Sequence, residues 1–230
     1  MGPIPVAIVH RRRTRPSRRE RRAVKERSMY LPGTFDGGPR RELTLSLMHE
    51  HPLATVIAQI DGELEVAHVP LLVAEEEPLR LSGHIARANP LAKQVLAGAS
   101  VTAVFHGPEA YVSAAWYAAP AEQVPTWNYA VVHARGRLEA LDDDGLRMQL
   151  DALSRTFEGD GRWSTALPAP DFLADLRRAL VGFTLHVEDV KTKLKMSQNR
   201  SATDRTRVLD ALSASSSARD LEVAALMRRL

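Results

Sequence analysis

Hydrophobic and polar positions change period several times along the chain, and each change marks an element. Residues 53–60 form a nearly continuous apolar run with β-branched members, the pattern of a buried strand. Asp61-Gly62 follows as a two-residue hairpin signal, and residues 64–73 alternate as the strand that pairs back. Residues 79–84 predict a third strand. Residues 101–106 and 111–115 predict two more, divided by the turn residues Gly107-Pro108. Residues 129–141 form a long alternating strand, and residues 181–190 another, with Val181, Phe183, Leu185 and Val187 on one face.

The remaining periodic segments are helical. Residues 40–51 and a short stretch at 90–96 predict helices. Leu146, Leu150, Leu153 and Phe157 recur at helical spacing, as do Phe172, Leu173, Leu176 and Leu180 behind Pro170. Ser201-Ala202-Thr203-Asp204 resembles a capping box and opens a helix to about Leu212. A serine-rich hinge then precedes a last helix through Leu226. Six to eight strands, mostly in hairpin order with helices attached, predict a mainly β protein with peripheral helices (α+β), closed or partly closed into a barrel. Strands do not alternate regularly with long helices, so a doubly wound parallel sheet is disfavoured.

Composition divides the chain further. Residues 1–28 hold ten Lys/Arg against Glu20 and Glu26, a charge of +8. Since the whole chain carries +3, the other 202 residues carry −5. Like charges at this density cannot bury a core, so residues 1–28 read as a disordered basic extension. It reads as a nucleic-acid-binding arm or, as we favour, as a stretch without a function of its own ahead of a start at Met29. Residues 29–212 form the expected core domain, and residues 213–230 a C-terminal helical tail. No apolar run reaches the roughly 20 residues needed to cross a bilayer. The chain has no cysteine, which excludes disulfides, thiol nucleophiles and thiolate metal sites and fits a cytoplasmic location.

Three segments concentrate candidate chemistry. In the stretch Gly83-His84-Ile85-Ala86-Arg87-Ala88-Asn89-Pro90, a strand feeds a helix start, with Asn89 as cap and Lys93 one turn in. Backbone donors with Arg87 and Lys93 form a phosphate cradle, or else an ordinary turn with solvated charges. Between Tyr111 and Tyr129, nineteen residues hold five of the twelve aromatics, interleaved with Ser113, Thr126 and Asn128. That suits a site bordering a flat heterocycle, or a barrel corner packed with rings. Lys191 to Ser201 places three lysines, two amides and an arginine between a strand and a capped helix, a donor cluster or a solvated basic loop.

Taken in order, Met29-Tyr30-Leu31-Pro32, GHIARANP at 83–90, FHGPEAYVSAAWY at 105–117, VPTWNY at 124–129 and KLKMSQNRS at 193–201 resemble the PaiB family, the FMN-binding negative transcriptional regulators. The resemblance spans residues 29–212 and implies an FMN-binding split β-barrel like that of the pyridoxamine-phosphate oxidases. It further implies a homodimer with FMN at the subunit interface. Carried over, Arg87 and Lys93 face the FMN phosphate, and His84, Ala86 and Asn89 shape the loop around it. Ser113 and Trp116 border the flavin. Asn128 and the Lys195, Gln198, Asn199 cluster close the site from the same or the partner subunit.

Other chemistries find no support. The histidines have no metal-site spacing, and there is no nucleophile elbow, P-loop or dinucleotide fingerprint. No catalytic residue is assigned. Two functions remain: a flavin-bound transcriptional regulator with DNA as a direct or indirect partner, and a flavin-dependent oxidoreductase acting on a small heterocycle or haem. In the second, the cofactor supplies the redox chemistry and the protein binds and orients.

Overall fold

A computed structural model describes residues 29–230 apart from Asp61, Asp160 and Arg162, so the basic extension and both readings of it lie outside the described residues. The sheet begins with the expected hairpin: β1 (Leu53–Ile60) and β2 (Glu63–Pro70) pair antiparallel in continuous register. Gly62 supports the turn with a φ of +91°, a conformation that side chains resist. The strand expected over 64–73 breaks at Leu71. Its amide donates to the Pro52 carbonyl and its side chain is fully buried, so alternation is lost there. β3 (Leu72–Glu76) then leaves to pair with β4 (Leu79–Ala86).

The three longest strands carry the middle of the sheet: β5 (Ser100–Val112), β6 (Thr126–Ala140) and β7 (Leu180–Lys195). All pairings are antiparallel, in the order β2-β1-β5-β6-β7-β4-β3. β2 and β3 thus lie at opposite edges although Leu71 alone separates them in the chain. Only a sheet curled on itself brings those edges within one residue of each other, which makes a barrel with a split between β2 and β3.

Two expectations about these strands change. Gly107-Pro108 does not divide two strands: β5 runs through, with the register shifting between His106 and Glu109. Proline has no N–H for the ladder, and a bulge accommodates it without ending the strand. Residues 191–195 are not a loop but the end of β7. Thr192 and Leu194 are buried while the lysines alternate outward half-buried, a period-two pattern masked by its charge. At Gly136, where β6 bulges against β7, a Cβ would sit 1.9 Å from the His186 carbonyl oxygen, so only glycine permits the approach.

Among the described residues six α-helices surround the sheet: α1 (Arg41–Glu50), α2 (Leu91–Leu96), α3 (Asp143–Phe157), α4 (Pro170–Arg178), α5 (Ala202–Ser213) and α6 (Ala218–Arg228). Leu47 and Met48 of α1 join Phe105, Phe183, Leu81, Leu185 and Leu194 in the core. The segment after Leu212 is a core element and not a tail. Val223, Ala224, Leu226 and Met227 of α6 are buried with Val208 and Leu212 of α5, and residues 31–230 form one compact unit. The serine hinge hides this in the sequence, because α6 is only weakly amphipathic. Among the described residues no helix is long and apolar enough to cross a membrane.

Candidate functional site: two donor clusters at opposite ends of one strand

The first cluster sits where β4 feeds α2. β4 ends at Ala86, paired with Leu180 at the start of β7. The chain then turns through Arg87 and Asn89. The Asn89 side chain accepts from the Leu91 amide at 2.9 Å, as expected of a cap. The backbone cradle expected here does not form. The Asn89, Ala92 and Lys93 amides donate to the Ala86, Asn89 and Pro90 carbonyls inside the turn, and the Arg87 amide to the Ala179 carbonyl. An anion at this end would therefore meet side chains and not a row of free backbone N–H groups.

Arg87 does two jobs there. Its Nε donates to the Arg178 carbonyl at 2.9 Å and a terminal nitrogen to the Leu180 carbonyl at 2.8 Å, which places a cation on the C-terminus of α4. A guanidinium has five N–H groups, so donors remain for an anion. Lys93 is exposed and makes no ion pair among the described residues. Half-buried His84 shares a 2.9 Å hydrogen bond, through Nδ1, with Gln149 Oε1 of α3.

The second cluster lies at the far end of the long strands, where Val112 pairs with Thr126 and Tyr129 with Lys195. Ser113 opens a 3-10 turn (Ala114–Trp116), its hydroxyl accepting from the Ala115 amide. Trp116 packs partly buried against the core, and its carbonyl accepts from Arg207. Asp204 of α5 accepts from the Ala118 amide, and this bond, with one from Ser201, holds its carboxyl below the usual carboxylate range. Lys195 donates to the Thr126 hydroxyl and, at 2.7 Å, to the Trp127 carbonyl. Burial, with Arg200 and Lys193 nearby, pushes its pKa down. Gln198 folds back on its own turn, accepting from the Met196 amide and donating to the Leu194 carbonyl, while Asn199 is exposed.

Asn128 is placed elsewhere than the resemblance implies. It is 1 % exposed, accepts from the Ser197 hydroxyl at 3.1 Å and lies against the Met227 sulfur, so it braces the strand and α6 instead of facing a ligand. Ser197 needs that brace, since its φ of 62° is in the left-handed region.

Residues outside the expected set complete this end. Tyr111 and Trp127 oppose each other across β5 and β6, edge to face at 6.0 Å, yet both stay about half exposed. Lys193 lies 5.6 Å from the Tyr129 ring. On the outer face of the sheet, Thr55 bonds both His68 and His106 at 3.2 Å, and His133 lies on the neighbouring strand. Burial, then Arg135, His106 and Lys193, lower the His133 pKa below its ordinary 6.5. The aromatic clustering signalled Tyr111 and Trp127. Their pairing was hidden because the bulge at Gly107-Pro108 sets the register.

FMN presents a phosphate and a flat ring. Lys93 and the spare N–H groups of Arg87 suit the phosphate; the exposed Tyr111–Trp127 surface, with Lys195 bonded to the Trp127 carbonyl, suits the ring. The residues therefore fit the molecule, but one chain does not bring them together. They stand at the two ends of sixteen-residue β7, roughly 50 Å of strand contour. No bond or ion pair links the two clusters among the described residues, and no group of acidic or histidine side chains there suits a metal.

Comparison with known proteins gives this geometry its context. The family described as "Putative FMN-binding domain" matches residues 29–189. Protease synthase and sporulation protein PAI 2 of Bacillus subtilis is 32 % identical over 189 residues, covering 80 % of this chain and 89 % of that one. The FAD and haem binding protein of Mycobacterium smegmatis shares the fold with a TM-score of 0.53 at 22 % identity, covering 67 % of this chain and 71 % of that one. The flavocytochrome Anf3 of Azotobacter vinelandii does so at 0.51 and 20 %, covering 66 % of each. With seven antiparallel strands in a split barrel and a match over most of its length, the chain belongs to this FMN-binding family, in its PaiB branch, and FMN is its cofactor.

Proposed function

We propose that two copies of the chain hold FMN between them and act together as a cytoplasmic negative regulator of transcription of the PaiB type. The separation of the two donor clusters along β7 carries the dimer. Phosphate-binding cations and ring-binding aromatics stand at opposite ends of the strand, and a two-fold partner sets one end of each copy against the other end of its mate. In this reading Arg87 and Lys93 of one copy hold the phosphate. Ser113, Trp116, Trp127 and the turn from Lys195 to Asn199 of the second copy border the ring, with His84, Ala86 and Asn89 shaping the phosphate turn and Asn128 bracing the wall. Bound FMN supplies reversible redox chemistry. The chain's own part is to fix the phosphate by charge, to cover the ring with aromatic surface, and to keep Lys195 in place through Thr126 and Trp127.

The regulator reading is supported by the 32 % identity to PAI 2 across most of both chains. Residues 29–230 carry a net −5, which opposes DNA over the barrel as a whole. DNA is therefore reached through a confined contact or through another protein. A flavin-dependent oxidoreductase is the second reading, supported by the fold shared with the M. smegmatis protein, described as binding FAD and haem, and by the solvent-facing Tyr111–Trp127 surface. One experiment separates them. Genomic DNA fragments are offered to the FMN-loaded protein, and the same preparation is assayed for flavin reduction by a nicotinamide nucleotide. Enrichment of a discrete, salt-sensitive fragment without turnover supports the regulator. Turnover without enrichment refutes it.

A further inference from the structure

Helices α3 and α4 build a cleft that the FMN reading does not use. Their apolar stripes face each other, yet α4 buries none of its residues, and Phe157 and Phe172 are each 56 % exposed. Between them lies a cleft of about 780 Å³ lined by Leu150, Leu153, Phe157, Phe172, Leu173 and Leu176, with Trp163 on the connecting segment. That volume falls within the roughly 300–1,000 Å³ of small-molecule sites. Helices lie on two sides, and Glu158, Trp163 and Thr165 of the connection between them on a third, so the surface is concave, whereas a stable protein contact takes an extended patch.

The lining also states the charge of an occupant. Among the described residues its charged members are Arg147, Arg177, Asp151 and Glu158, which cancel. Arg147 lies 3.7 Å from Asp144 and 3.6 Å from Asp151, Arg177 lies 3.1 Å from Asp143, and Asp151 also accepts from the Thr165 hydroxyl. Both of these cations already have partners, so among the described residues an anionic ligand finds no open one. Among the described residues no histidine, cysteine, methionine or tyrosine lines the cleft, so they offer no usual side chain to ligate a haem iron.

We propose that this cleft is a second ligand site, taking an uncharged, flat aromatic molecule of drug-like size. The site belongs to a single copy and needs neither FMN nor a dimer. It is nevertheless connected to the first cluster. Leu180 lines it, and the Arg87 guanidinium joins the carbonyls of Leu180 and Arg178 to the turn that carries the phosphate-binding cations. A ligand in the cleft therefore touches the same helix end that Arg87 holds.

The test titrates the full chain, with and without FMN, with the uncharged fluorophore N-phenyl-1-naphthylamine and, separately, with an anionic naphthalene sulfonate. Binding is read by probe emission and by energy transfer from tryptophan. The expected result is saturable binding of one neutral probe per chain in both states, with the anionic probe weaker. Leu176→Glu, at a half-exposed position, is expected to weaken the neutral probe at least about tenfold by placing a charge in the apolar lining, with circular dichroism and FMN binding unchanged. Trp163→Phe should keep binding but lose much of the energy transfer. No saturable binding, or binding untouched by Leu176→Glu, overturns the proposal. So does sedimentation showing that Leu176→Glu splits a dimer, since the cleft would then be filled by a second copy. Loss of FMN binding alone would count against the cofactor site and leave this one standing.

Discussion

Arg87 and Lys93 are neighbouring cations with different work, and single substitutions separate them. Arg87→Ala removes two guanidinium bonds, at 2.9 and 2.8 Å, from the carbonyls at the end of α4. Each such bond contributes about 0.5–1.5 kcal/mol net, and exposure puts these near the lower end. Adding about 0.3–1 kcal/mol for a cation at a helix C-terminus gives a loss of about 1–2 kcal/mol. For a domain of this size that lowers Tm by about 3–6 °C. Lys93→Ala removes an exposed side chain that makes no ion pair among the described residues and should leave stability within about 0.5 kcal/mol. FMN affinity reverses the order of clarity. Lys93→Ala costs one charge-assisted phosphate contact, about 1.5–3 kcal/mol or roughly 10- to 150-fold in Kd, with no change in Tm. Thermal melts of the FMN-free protein and quenching of flavin fluorescence give the two readouts. An unchanged Tm for Arg87→Ala would refute its role in holding α4. An unchanged FMN Kd for Lys93→Ala would remove the phosphate from this end of the sheet.

Other substitutions probe the second cluster and the sheet. Asn128→Ala leaves the buried Ser197 hydroxyl without its acceptor while Ser197 keeps its left-handed backbone, so urea unfolding should show a loss of about 2–3 kcal/mol; a loss below about 0.5 kcal/mol would show that the brace is idle. Trp127→Ala should cost only about 0.5–1 kcal/mol of stability, since the ring is half exposed, yet weaken FMN binding clearly. Equal FMN affinity in that variant would place the ring elsewhere. The lowered pKa of His133 means the unfolded chain takes up its proton first, so stability should rise as pH increases through the region just below 6.5 and fall with acid. His133→Gln should flatten that stretch of the stability–pH curve, and an unchanged slope would assign it to other groups.

The sequence shows the elements more readily than the way they come together. Apolar runs and alternation locate β1, β4, β6 and the amphipathic helices, because each buries one face against the core. Leu71 is a single buried residue between two strands, and no local pattern says that they belong to opposite edges. Gly107-Pro108 has the composition of a turn but sits in a bulge, since the ladder on both sides outweighs one missing donor. Lys191, Lys193 and Lys195 read as a solvated loop, while the two residues between them, Thr192 and Leu194, are fully buried and make it strand. The candidate site is legible as residue types and not as a place. Lys93 is exposed and Lys195 is tied to Thr126 and Trp127, Asn128 is buried in a structural contact, and only strand order reveals that the clusters stand apart.

Whether FMN is held by two copies is tested most directly by complementation. Arg87→Ala/Lys93→Ala chains and Lys195→Met/Asn199→Ala chains, each unable to bind FMN alone, are unfolded together, refolded as a mixture and titrated with FMN. If each site draws on both copies, half of the dimers are mixed and each holds one intact site, so about a quarter of the wild-type capacity returns. If both clusters of one chain build its site, the mixture binds no more than either variant alone, and the shared site is wrong.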